Sequence, residues 1–335
     1  MLLDGISRIK VDPQQLTGER TRHDIPFAHA SPTILAHRYS FATDASDSVG
    51  GADLTTIGTA SVTGGALQLP GGSSRTNCAI APAATLPVLE TTVRDSVALS
   101  MECWFRQNAA QNWSKLFMAG RGAGGEYLDI TPRRGNSGNV PSISFNNGSV
   151  ESTAIGTSAG QLPNNVDHYC AAVWNPVTDQ LTISIGPVGG ILKTHTASLG
   201  GRSLTAVAIN EFYLGAAVQF PDPDFNGSID EFRIWSGALD SADIARHFTA
   251  GTEAFTVDPV VDTVAMNEAK DTLTIHVSGL VPTLIYHLQE SAVLDGFAPV
   301  PGSQFTATGE TRTIQIAIDP STVPKRFFRL AEGAP

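Results

Sequence analysis

Three cysteines in 335 residues are too few to staple a fold, and an odd count leaves at least one thiol unpaired. Cys78, Cys103 and Cys170 also lack the close spacing of a zinc or redox motif. They read as small apolar fillers of a core, with Cys103 and Cys170 inside predicted strands. Basic residues are few, 21 against 32 acidic, for a formal net charge of −11, and they form no stripe. That removes the electrostatic footprint that grips a phosphate backbone, so no nucleic acid is expected as partner. An anionic membrane surface is not expected as partner on the same ground. No apolar run approaches the length of a membrane span, so no membrane insertion is expected. The first 24 residues carry charges where a signal peptide needs an apolar centre. The expectation is either a removed leader or a protein that crosses no membrane by that route. P-loop and dinucleotide glycine patterns are missing, as is a nucleophile elbow.

What the chain does have is turn residues, Gly 32 and Pro 20, and alternating apolar runs. Val97, Leu99, Met101, Cys103 and Phe105 alternate, as do Leu273, Ile275 and Val277, which is the period of a strand. The expected fold class is all-β. The most informative stretch is Phe225 to Gly251, FNGSIDEFRIWSGALDSADIARHFTAG. Asn226-Gly227 reads as a turn, Ile229, Phe232 and Ile234 as a short strand, and Gly237 as its end. Asp240 can cap a helix with Asp243 three residues on; Ile244, Ala245 and Phe248 would be its apolar stripe and Gly251 its stop.

This stretch resembles the closing motif of the laminin-G-like, concanavalin A-like jelly rolls. HRYSF at His37 to Phe41, the acidic turn Asp44 to Gly51, and GGALQLPGG at Gly64 to Gly72 resemble the opening strand and first hairpin of that family. MECWF at 101–105, GEYLDITP at 125–132 and HYCAAVWNPVTDQLTISIG at 168–186 follow in family order. The resemblance implies a concanavalin A-like jelly-roll sandwich over residues 36–255. Residues 1–35, punctuated by Pro13, Pro26 and Pro32, read as an extended arm. The arm is either disordered or locally packed, or Leu2, Ile6, Ile9 and Val11 add a strand to an exposed edge of a neighbouring domain or another copy. Residues 256–335 resemble a small immunoglobulin- or fibronectin-like β-sandwich, with strands at 271–278, 284–290, 304–308, 311–318 and 326–330. Tyr286, Leu288, Phe328 and Leu330 read as its buried positions.

Three kinds of chemistry are open to such a chain. Asp44, Asp47 and Asp53 cluster on a Gly-rich turn where a hard cation could find oxygens. The resemblance implies that a structural calcium ion there would also draw on Asp230 and Asn226 of the closing strand. The competing reading is that Asp simply favours turns. A glycan site needs an aromatic face and a few amide or carboxylate partners. Trp113 on the loop after the strand, with Asn112, Glu102, Tyr127 and Arg133, forms the candidate set, and Arg121, Asp129 and Arg134 could line the same rim. Trp104 and Trp174 read as core. The jelly-roll glycanases that this architecture resembles need two carboxylates alternating on one strand, and the chain has no Glu-x-Asp-x-x-Glu or Glu-x-Asp-x-Glu run; Asp230 and Glu231 are adjacent and point apart. The expectation is therefore no enzyme, but a binding or adhesion module at a cell surface or outside the cell, with a glycan or surface polymer as partner. The alternative is a structural subunit of an extracellular filament or a virion, homo-oligomeric through the N-terminal arm.

Overall fold

The computed structural model describes residues 9–11, 33–122, 125–253, 260–267, 271–278, 280, 285–291, 297–308, 311–317 and 326–332. The chain divides into two compact units, one of residues 33–254 and one joining 1–32 to 255–335. Both are built from antiparallel strands, as the alternating sequence pattern requires.

In the larger unit one sheet has seven strands, in the order Glu151–Ile155, Val140–Asn147, Glu126–Arg134, Phe117–Gly120, Glu211–Leu214, Ala79–Ile80, Thr55–Thr56. The other has eight: Lys193–Ser198, Gln180–Pro187, Asp167–Asn175, Leu99–Ala109, Asp224–Ser236, Ala66–Gly72, Ser61–Thr63, with Ile34–Tyr39 also pairing with Asp224–Ser236. The opening strand thus lies directly against the closing one, His37 opposite Ile234. Leu99, Met101, Cys103 and Phe105 face inward, fully buried against Phe117, Ile130 and Phe145 of the other sheet in one continuous core. Gly64 and Gly65, at φ 64° and 78°, turn the first hairpin, whose mirror-image turn needs positive φ at both central positions.

Asn226-Gly227 is not a turn. It lies inside the 13-residue strand Asp224–Ser236 at a β-bulge, where the register against Leu99–Ala109 slips. A Cβ on Gly227 would come within 2.0 Å of the Arg106 carbonyl oxygen, so glycine is needed for close approach rather than for chain reversal. Two helices complete the unit. Helix α1 (Leu86–Asp95), which the sequence reading did not anticipate, buries Leu89 and Val93. Helix α2 (Ser241–Ala250) begins where expected: the Asp240 carboxylate accepts from the Ala242 and Asp243 amides, both at 2.8 Å. Gly251, at φ 77°, ends it. Its buried stripe is Ile244 and His247, whereas Ala245 is exposed.

The smaller unit has strands at Thr272–Ser278, Ile285–Ser291, Phe305–Thr306, Arg312–Ala317 and Arg326–Glu332, close to the expected spans. Two sheets share its core, with Leu273, Ile275 and Ile314 packed with Tyr286, Leu288, Phe328 and Leu330. Of the N-terminal arm, the described segment Ile9–Val11 is a strand antiparallel to Arg326–Glu332 of its own chain, Ile9 opposite Phe328. Deleting residues 1–12 should therefore expose a sheet edge. Amide exchange at 326–328 is expected to quicken at least about tenfold, one to two backbone hydrogen bonds' worth of protection. Unchanged exchange there would show that the strand adds nothing to the unit.

Candidate functional site

The outer face of the seven-stranded sheet carries a polar floor that the core does not explain. Lys115 is almost fully buried, yet its ammonium lies 3.3 Å from Asp129, 3.7 Å from Asp222 and 2.9 Å from the Thr131 hydroxyl. Beside it, Arg134 donates to Glu151 at 2.9 Å, and the Tyr127 hydroxyl donates to the same carboxylate at 2.8 Å. Burial acts to raise Glu151, but the hydrogen bonds from Arg134 and Tyr127 outweigh it and hold the carboxyl below its usual range. For Asp222 the balance runs the other way. Burial pushes it above the usual carboxylate range against the pull of Lys115, and the Asp129 charge adds to the rise. Asp129 Oδ1 and Ser142 Oγ are buried on this floor with no hydrogen-bond partner among the described residues.

Trp113 caps the floor. Its backbone sits at φ 72°, a left-handed conformation that costs a bulky side chain about 1–3 kcal/mol. Three contacts hold it there. Its amide donates to the Arg133 carbonyl at 2.8 Å, and the Arg134 guanidinium and Lys115 ammonium lie 5.3 Å and 5.6 Å from its ring centre. The indole edge fits against Gly135, where a Cβ would come within 2.6 Å of Nε1. Around the half-buried ring runs a rim of planar polar groups: Arg133 donates to the Asn112 side-chain oxygen at 2.7 Å and to Gln161 at 3.2 Å. Asn112 and Gln161 are exposed, so the rim presents amide and guanidinium edges to solvent next to an aromatic surface.

Residues 81–245 match the laminin-G model of the concanavalin A-like lectin/glucanases superfamily. The larger unit is a concanavalin A-like jelly roll. Among solved structures it is similar to domain 4 of AbnA, an extracellular arabinanase from Geobacillus stearothermophilus, in complex with arabinotriose. That likeness has 20% identity and a TM-score of 0.50, over 64% of this chain and 98% of that domain. The CBM40 of the Ruminococcus gnavus IT-sialidase, bound to α2,3-sialyllactose, matches at 13% identity and TM-score 0.42, over 54% of this chain and 94% of that one. A botulinum neurotoxin type C structure, described with two ganglioside molecules, matches at 15% and 0.48, over 76% and 56%. No curated protein matches the sequence.

The jelly roll brings together Trp113, Asn112, Arg133 and Tyr127, though Tyr127 is buried and reaches the rim only through Glu151 and Arg134. Glu102 is not among them, and its expected place at a glycan surface is corrected. It lies on the other sheet, fully buried, because helix α2 covers that face. Tyr169 and Trp235 donate to its two oxygens at 2.5 Å and 2.8 Å, and His247 Nδ1 lies 2.9 Å away. Trp104 is buried on the same covered face, with the Arg233 guanidinium 4.5 Å from its ring centre. Lys115, Asp222 and Glu151 were missed by the sequence reading. A lone lysine beside the apolar run Leu116 to Ala119 was the available signal for the first.

The calcium set does not fit an ion. Both Asp47 oxygens are occupied: Oδ1 accepts from the amides of Arg38, Val49 and Gly50 at 2.9, 3.1 and 3.0 Å. Oδ2 accepts from the Ala52 amide at 2.9 Å and lies 2.6 Å from His37 Nδ1. Burial would raise this carboxyl, but His37 and the backbone donors hold it well below the usual range. Asp44 is exposed and closes a local turn onto Ser46. Asp230 feels Asp167 and Arg106 rather than Asp47, and burial raises it first of all. Among the described residues no three His, Cys, Asp or Glu side chains converge as metal ligands. Asp47 instead fastens the opening turn.

Proposed function

We propose that the jelly roll is a non-enzymatic carbohydrate-binding module, and that the sugar lies on Trp113 against Asn112, Arg133 and Gln161. The observation that carries this reading is the strained backbone of Trp113. An aromatic held half-open in a left-handed conformation, over a floor of ion pairs, is a rigid platform of the kind used to stack on the C–H face of a sugar. The amides and guanidinium beside it supply the directional hydrogen bonds that select among hydroxyl patterns. The arabinanase domain of the same fold, solved with arabinotriose, is consistent with this use of the fold.

Binding is favoured over hydrolysis by the state of the carboxylates. Asp129 and Asp222 flank Lys115, and Glu151 is tied to Arg134 and Tyr127. None is left as a free acid opposite a free nucleophile, which a retaining or inverting pair requires. The module would work outside the cell or at its surface, where polysaccharide is met. Titration of the full chain with arabino-oligosaccharides and sialyllactose, together with a glycan array, tests the proposal. Saturable binding in the micromolar to millimolar range, without release of shorter sugars, is expected. Silence across the array, or depolymerisation of any polysaccharide, would sink it.

A further inference from the structure

Cys103 and Cys170 occupy directly opposite positions on neighbouring antiparallel strands, between the pairs Glu102–Ala171 and Trp104–Tyr169. Both side chains point into the same core and neither is exposed. Opposite residues of an antiparallel pair have Cα atoms about 4.5 or 5.5 Å apart, and a disulfide spans about 4.4–6.8 Å. No other side chain can stand between two residues in register on one face. Their mutual proximity is also felt electrostatically: burial raises the Cys103 thiol well above its ordinary value, and Cys170 adds to the rise. Cys78 is placed elsewhere, pushed up to about 12 by burial and by Asp224.

We infer that Cys103 and Cys170 form a cross-strand disulfide when the chain folds in an oxidising compartment. The Sγ–Sγ bond forms as both S–H bonds break. The two electrons pass to a small-molecule disulfide such as oxidised glutathione, which leaves as two thiols carrying the two protons. Because the folded core buries both thiols, the exchange takes place while the strands are pairing, before the core closes. The bond would close residues 104–169 into a loop, the segment that carries Trp113, Lys115, Arg133, Arg134 and Glu151. The oxidised chain would therefore hold this segment of the face in a shorter-tethered unfolded state, whatever the face binds. A cross-strand bridge also draws the Cβ atoms closer than a relaxed pair, which places it among the more reducible disulfides.

The full chain is prepared twice, from a reducing cytosol and from an oxidising secretory compartment, denatured in the presence of iodoacetamide so that every free thiol is trapped, and mapped by mass spectrometry without reductant. A peptide linking Cys103 to Cys170, with Cys78 alkylated, is expected only in the second preparation. The oxidised form should melt about 10 °C above the reduced one. Cys78→Ser should leave the link intact, and Cys103→Ser should remove it. Should Cys103→Ser fail to fold, the Cys78→Ser map decides alone. Alkylation of all three cysteines in the secreted protein, or a link that includes Cys78, overturns the inference.

Discussion

Glu102→Ala is expected to destabilise the jelly roll by about 3–5 kcal/mol, lowering its melting temperature by about 10 °C or more. The carboxylate is fully buried and serves four groups at once: Tyr169, Trp235, His247 and, at 3.8 Å, Arg233. Arg233 is itself fully buried and bonded at 2.7 Å to Glu231, which also accepts from Arg38 at 2.6 Å. Removing Glu102 takes an acidic partner from a buried guanidinium and the acceptor from Tyr169, Trp235 and His247 Nδ1, and broken buried networks cost far more than surface pairs. The damage should be local to the seat of helix α2, because His247 is its buried anchor. Burial alone would raise Glu102, but His247, Arg233 and Tyr169 hold it below its ordinary value of 4.5. A carboxyl depressed by folding lends stability above the unfolded value and loses it as pH falls. The wild-type protein should thus be insensitive to pH above about 4.5 in this respect and weaken progressively below it, while the variant loses that part of its acid sensitivity. Urea melts of both proteins at pH 7 and pH 3.5 read the difference; a loss below about 1 kcal/mol at pH 7 would mean the network is not cooperative.

These energetics also explain which parts of the architecture the residues announced in advance. Alternation along 99–105 revealed a strand and its two faces, though Val97 before it is exposed outside the strand, and the Asp240 cap with Gly251 bounded helix α2 to within a residue. What alternation cannot tell is what covers the second face. Glu102 and Trp104 project together as expected, but a helix 140 residues later folds over them and turns a presumed surface into interior. Asn226-Gly227 misled for a related reason. The dipeptide satisfies a tight turn and a bulge equally well, and only the neighbouring Arg106 carbonyl decides between them. Helix α1 hid behind Pro87, Thr91 and Thr92, poor helix formers inside a ten-residue span. At the candidate site, Trp113, Asn112 and Arg133 were legible because the loop and the strand carrying them stand close in sequence. Lys115 with Asp222, and Arg134 with Glu151, join strands and loops that no local spacing connects.

Trp113→Gly should separate a binding role from a structural one, because its effects on affinity and on stability differ in size. Losing a half-buried indole and its contacts with Arg134 and Lys115 costs about 2 kcal/mol of packing. Glycine at φ 72° returns about 1 kcal/mol or more by relieving a conformation that an L side chain adopts only under strain. The net change in folding stability should therefore stay within about 1 kcal/mol, a melting shift of a few degrees. Affinity has no such compensation. With the stacking surface gone, the sugar keeps only the Asn112, Arg133 and Gln161 hydrogen bonds, which water also satisfies, and binding should weaken by roughly 30- to 100-fold, about 2–3 kcal/mol. Asn112→Ala, at an exposed rim position, should cost about tenfold or less and leave the melting curve in place. If Trp113→Gly instead melts as early as Glu102→Ala while the folded fraction binds sugar with unchanged affinity, the ring is a structural wedge and the platform lies elsewhere on the sandwich.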